Sequence, residues 1–207
     1  MTARKQKTKQ GDSRDPAPKA SNVTEMDLLI KTDLKKGMLF FAVIVLIALL
    51  AYSNSFRNGF TNWDDDKNVY ENRYIREISL ENLKAYFTKP LIGMYSPLVY
   101  LSYALDYRIK KLDPIVFHGT NLLLHLINAA FVLLLIRMLT GKWETAAIVS
   151  LIFAIHPMIA AGVTPISVRS NLLYSLFYLG ALIAYVRYVK HGSYERKYLL
   201  GAGILFA

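Results

Sequence analysis

Two uninterrupted apolar blocks decide what this chain can fold into. Residues 38–52 read MLFFAVIVLIALLAY, and residues 117–138 read FHGTNLLLHLINAAFVLLLIRM. A helix needs about 20 mostly apolar residues to cross a bilayer, and a backbone in hydrocarbon must satisfy its own hydrogen bonds. The blocks therefore predict an all-α, multi-pass transmembrane helical bundle with the lipid bilayer as its solvent. Residues 145–163 and 172–189 add a third and a fourth span. A fifth begins near Tyr198 and reaches the last residue, Ala207, too soon to cross, which suggests the N-terminal piece of a longer protein.

Residues 1–36 are polar and carry Arg4, Lys5, Lys7, Lys9, Arg14, Lys19, Lys31, Lys35 and Lys36. Nothing before Asp27 offers an apolar face to bury, so this segment reads as a disordered basic tail ahead of a transmembrane domain at 37–207. The net charge of +10 would suggest nucleic acid in a soluble protein. Here membrane topology accounts for it, because basic residues gather on the cytoplasmic side, and no nucleic-acid partner is expected. The chain has no cysteine, which excludes disulfides and thiolate metal sites.

About sixty residues separate the first two spans. Within them, LIGMYSPLVYLSYALDYRIKKL at 91–112 mixes Tyr and Ser with apolar residues and ends in a cluster of charges. An amphipathic helix in the membrane interface fits this better than a span. Leu98, Leu101 and Leu105 recur at helical spacing and predict its apolar side. With this segment outside the count, Arg137, Lys142, Arg187, Lys190, Arg196 and Lys197 fall in cytoplasmic loops, as the positive-inside rule prefers. The N-terminus is then cytoplasmic and residues 53–116 form a large external loop.

That loop opens with Trp63-Asp64-Asp65-Asp66. Adjacent carboxylates can act as a general base toward a hydroxyl, or as oxygen ligands for a hard divalent cation; a solvated acidic turn is the plainer reading. Tyr95-Ser96-Pro97-Leu98 suits a helix start. His118, Asn121, His125 and Asn128 fall at helical spacing in the second span, the pattern of polar groups bonding neighbouring helices. His156-Pro157 lies near the outer end of the third span, and Arg169 and Asn171 open the fourth. An arginine at that edge either snorkels to the headgroups or grips a phosphate.

The order Trp63-Asp64-Asp65, Tyr95-Ser96-Pro97-Leu98, Phe117-His118 with Asn121 and His125, His156-Pro157 and Arg169 resembles the N-terminal part of the GT-C superfamily of membrane glycosyltransferases. The likeness is closest to the tetratricopeptide-repeat mannosyltransferases and their bacterial relatives, and it covers about residues 39–190. It implies transfer of a sugar, mannose among the candidates, from a polyprenyl-phosphate donor to an external hydroxyl on a protein or glycan. It makes Asp64 and Asp65 catalytic, gives Arg169 and His156 to substrate binding, and suggests a bacterial inner membrane. The chain departs from the family pattern at Ser96, where His or Arg is common. It departs again at Ala161, Pro165 and Asn171, where Glu, Trp and Asp are usual. A second reading is therefore a non-catalytic membrane subunit that binds a lipid-linked sugar or a partner protein.

Overall fold

A computed structural model describes the backbone of residues 20–190 and 196–206, and the side chains of 31–190 and 198–204. Among the described residues every regular element is helical. Two units are present, residues 1–36 and 37–207.

Helix α1 runs Ala20–Ala51 and contains the expected first span. It starts well before the apolar block, so residues 20–36, read above as tail, have helical backbone. No Gly or Pro interrupts residues 20–36, so nothing breaks the propagation of the helix. The part of the tail before Ala20 lies outside the described residues.

In the second unit, α4 (Pro114–Thr140) is the central post. Asp113 caps it by accepting from the Ile115 amide at 3.0 Å, Pro114 takes the first turn, and Gly141 closes it in the left-handed region. These signals bound it cleanly. Its 27 residues give about 40 Å, enough to cross with tilt. Helix α7 (Arg169–Lys190) packs along α4, and α8 (Arg196–Phe206) packs on α7. These helices match the expected second, fourth and fifth blocks. The helices long and apolar enough to cross are found at 31–51, 114–140 and 166–190.

The third block is not one span. Helix α5 (Trp143–Ile155) has only 13 residues, about 20 Å. It stops because Pro157 forces His156 into extended backbone (φ −64°, ψ 132°). A short helix, α6 (Pro157–Ala160), and a turn complete the passage. Broken backbone at membrane depth survives only where partners satisfy it. The polar face of α4 supplies them: Asn121 Nδ2 donates to the carbonyls of Val163 and Pro165 at 3.2 and 3.0 Å, and His125 Nε2 lies 2.9 Å from the Ala154 carbonyl. Ser150 on α5 donates to the Ala129 carbonyl at 2.7 Å, and Asn128 to that of Leu172 at 2.9 Å. The polar stripe on α4 is thus interhelical bonding, as its spacing suggested.

Close approach also matters at the other end of α4. A Cβ on Gly37 would sit 2.4 Å from the Trp143 ring, so only glycine lets α1 pass there. Gly37→Leu should lower stability by about 1–3 kcal/mol through overpacking, read as thermal unfolding in detergent followed by Trp fluorescence. Adding Trp143→Ala should recover part of the loss.

The long loop forms a small folded cap. Helices α2 (Leu80–Thr88) and α3 (Pro97–Lys110) enclose a core of Val69, Ile75, Tyr86, Tyr100, Tyr103 and Ala104 that continues into Phe117 of α4. Three buried tyrosine hydroxyls tie it together, donating to the carbonyls of Tyr74, Leu91 and Ile166 at 2.6, 2.6 and 2.8 Å. Helix α3, at 14 residues or about 21 Å, is too short to span. Leu98, Leu105 and Ile109 are exposed on it while Leu101 packs against the cap core. Two of the three leucines expected on the apolar side are therefore presented outward.

Candidate functional site

The two conspicuous acids have different environments. Asp65 is fully buried. Its Oδ2 accepts from the amide and hydroxyl of Thr61 at 3.0 and 2.9 Å, and its Oδ1 accepts from the Ser167 amide at 2.7 Å. The carboxylate thus clamps the start of the cap to the helical turn Ile166–Val168, 102 residues away in sequence.

Asp64 is exposed and has φ +70°. A left-handed residue other than glycine is strained, although Asp tolerates it better than most. Asn68 holds it there: its amide and its Nδ2 both donate to the Asp64 carbonyl at 2.9 Å. The backbone bonds leave the Asp64 side chain on the wall of a cleft of about 750 Å³, together with Trp63, Met94, Ala161, Pro165 and Asn171. Among the described residues Asp64 is the only acid on that wall. Trp63 is 84% exposed beside it.

Arg169 sits elsewhere. It is fully buried and pairs with Asp106 of α3 at 2.6 Å. Its Nε donates to Asn121 Oδ1 at 2.8 Å, Nη2 to the Phe117 carbonyl at 2.9 Å, and Nη1 to Ser102 Oγ at 3.2 Å. The guanidinium also lies 4.5 Å from the centroid of the Tyr103 ring. Asp106 accepts in addition from Thr120 Oγ1 at 2.7 Å. Burial pushes the Asp106 carboxyl above the ordinary carboxylate range, and Arg169 and Thr120 pull it back down. This network staples α3, α4 and α7. Arg169, expected on substrate, faces protein on every side here.

His156 is exposed at the break after α5, where Nδ1 accepts from the Met158 amide at 3.2 Å. It caps α6 and is not on the cleft wall. Of the expected site residues, Asp64 and the Asp65 clamp meet at the cleft; Arg169 and His156 do not join them.

The chain is 28% identical over 155 residues to Protein O-mannosyl-transferase TMTC3 of Homo sapiens, covering 70% of this chain and 16% of that protein. Protein O-mannosyl-transferase Tmtc3 of Drosophila melanogaster is 27% identical over 191 residues, 79% of this chain and 20% of that protein. Protein O-mannosyl-transferase TMTC2 of Homo sapiens is 30% identical over 113 residues, 53% of this chain and 14% of that protein. The chain is related to protein O-mannosyl-transferases. It spans no more than a fifth of the length of these transferases. No protein-family model and no solved structure matches it.

These transferases are eukaryotic proteins, which does not fit the bacterial inner membrane expected above. Three of the positions singled out in the sequence share one location. Ala161, Pro165 and Asn171 all line the Asp64 cleft. The acids present do not form an all-protein cage for a cation. Among the described residues the cleft wall offers one carboxylate, that of Asp64, and the Asp65 oxygens are engaged, so water or a substrate phosphate would have to supply most of the six or more oxygen ligands such an ion takes. Among the described residues no three His, Asp or Glu side chains converge.

The staple escaped the sequence reading. Its signal was a pairing rule: an arginine buried at a membrane edge requires an acid. Asp106 was the acid within the interfacial segment.

Proposed function

We propose that this chain builds the acceptor-side cleft of a membrane glycosyltransferase that moves mannose from a polyprenyl-phosphate donor to a protein hydroxyl. The observation that carries this reading is Asp64, a lone, strained, exposed carboxylate on the wall of a large cleft at the end of a membrane bundle. Asp64 would take the proton of the acceptor hydroxyl as its oxygen attacks the sugar carbon and the bond to the donor phosphate breaks. Asp65 is the positioning residue that holds the cleft wall through Thr61 and Ser167. The relatives' names supply mannose and protein as the transferred and receiving groups. The test is transfer of labelled mannose from polyprenyl-phosphate mannose to a Ser/Thr peptide, in membranes carrying the protein expressed from its whole gene. Absence of transfer above membranes lacking the protein would overturn the reading.

The substitutions at Ala161, Pro165 and Asn171 favour a second reading, a subunit that keeps the cleft for binding without transfer. Saturable peptide binding with no transfer would support it.

We further propose that the cleft faces the external or luminal side and the N-terminus the cytoplasm. Because the chain lacks cysteine, single reporters give a clean readout. In sealed right-side-out preparations, Glu81→Cys in α2 should react with an impermeant maleimide and Lys142→Cys, at the opposite end of α4, should not. The reverse pattern would invert the topology.

A further inference from the structure

A second cavity, of about 440 Å³, shares Thr61 and Pro165 with the Asp64 cleft and adds Arg57, His118, Thr164 and the buried Asp65. Arg57 ends the helical turn Ser53–Arg57 just after α1. It is exposed and has no hydrogen bond or ion pair to any described residue. His118, in the second turn of α4, is 4% exposed, and neither ring nitrogen has a hydrogen-bond partner. The backbone of Asn58, Gly59 and Thr164 lies close enough to the ring to interact with it, but no group meets the distance and angle of a hydrogen bond to either nitrogen. A buried polar group left unpaired is costly, and one on a cavity wall calls for something in the cavity to bond.

A guanidinium and an imidazole on the lining of one cavity match the chemistry of a phosphate. The arginine fork takes two phosphate oxygens, and an imidazole N–H can take a third. Asp65 sets the charge that fits. Its oxygens point to Thr61 and Ser167, but its negative charge remains on the lining. With Arg57 the one Arg or Lys there among the described residues, a singly charged phosphate diester is favoured over a doubly charged monoester. The cavity lies where α1 ends and α4 begins, and both helices are long and apolar enough to cross a membrane. A headgroup held there leaves its chain beside hydrocarbon.

We infer that Arg57 and His118 form a phosphate-diester site for a lipid-linked phosphate, adjacent to but distinct from the Asp64 cleft. As the seat of the intact donor's phosphate diester the site rests on the transferase reading; as a phosphate site it can be tested without it. It supplies the exposed cation that Arg169, buried against Asp106, does not.

The test uses the full protein in a phosphate-free maltoside detergent, with methyl citronellyl phosphate as the diester probe and binding followed by calorimetry. Saturable binding is expected, and Arg57→Gln should weaken it about tenfold or more, since a hydrogen bond to a charged group contributes about 1.5–3 kcal/mol. Arg57 lies on an exposed turn, so this variant tests the site without threatening the core. His118→Phe should weaken binding as well, and Lys84→Gln, on the cap away from the cavity, should leave it unchanged. No saturable binding, or equal affinity in Arg57→Gln, would overturn the site. Inorganic phosphate binding as tightly as the diester would overturn the lipid-linked assignment in favour of a free phosphate. If Arg57→Gln loses the probe while Asp64→Asn still transfers sugar at the parent rate, the Asp64 chemistry falls and the phosphate site stands.

Discussion

Arg169→Ala is expected to unfold the cap from the bundle and not merely to weaken substrate binding. The guanidinium is fully buried and makes four polar contacts, to Asp106, Asn121, Phe117 and Ser102. Truncating one member of a buried ion pair leaves the other charge without compensation, at a cost of about 3–5 kcal/mol. Asp106 would then have to protonate or take in water, and α3 would lose its hold on α4 and α7. Thermal unfolding in detergent should fall on the order of 10 °C, with faster proteolysis of residues 53–113. Arg169→Lys should recover only part of the loss, because a point charge cannot reach Asp106, Asn121 and the Phe117 carbonyl together. The double variant Asp106→Asn, Arg169→Met should be milder than Arg169→Ala, since both charges are removed. If Arg169 were instead a phosphate ligand, its loss would leave the melting transition in place. A shift of less than a degree or two in Arg169→Ala would discard the staple.

The contrast shows what could be read from the residues. Apolar length alone located α1, α4 and α7, because a bilayer demands a certain run of apolar residues whatever surrounds them. The polar face of α4 was legible for the same reason: Asn121, His125 and Asn128 recur with the helical repeat and need partners in hydrocarbon. The break at His156-Pro157 was written in the proline, yet the block of apolar residues around it concealed a change of backbone. Long-range pairing was not legible. Nothing in the sequence near Asp65 indicates that its partner is the amide of Ser167, or that Arg169 meets Asp106. Such contacts depend on the cap folding back over the start of α4. Adjacent acids also look equivalent in sequence. Only the φ of +70° at Asp64 and the buried bonds of Asp65 separate them.

That separation gives the second large expectation. Asp64→Asn should leave the fold intact and reduce transfer by about a hundred- to ten-thousand-fold, the usual effect of removing a positioned base. The turn is held by the Asp64 carbonyl, which the substitution keeps, and asparagine accepts the left-handed region as readily as aspartate. The melting transition should therefore match the parent. Asp65→Asn should behave differently. An amide has one acceptor oxygen where the carboxylate uses two, so at least one of the three donors from Thr61 and Ser167 loses its partner, at about 1–3 kcal/mol. The wall formed by Ile166–Val168 should loosen, and stability and transfer should fall together. Transfer is measured with labelled polyprenyl-phosphate mannose and unfolding with Trp fluorescence on the same preparations. Full transfer by Asp64→Asn would sink the catalytic role of that carboxylate. A melting loss in Asp64→Asn as large as in Asp65→Asn would make both acids structural, and the cleft would then belong to a binding subunit.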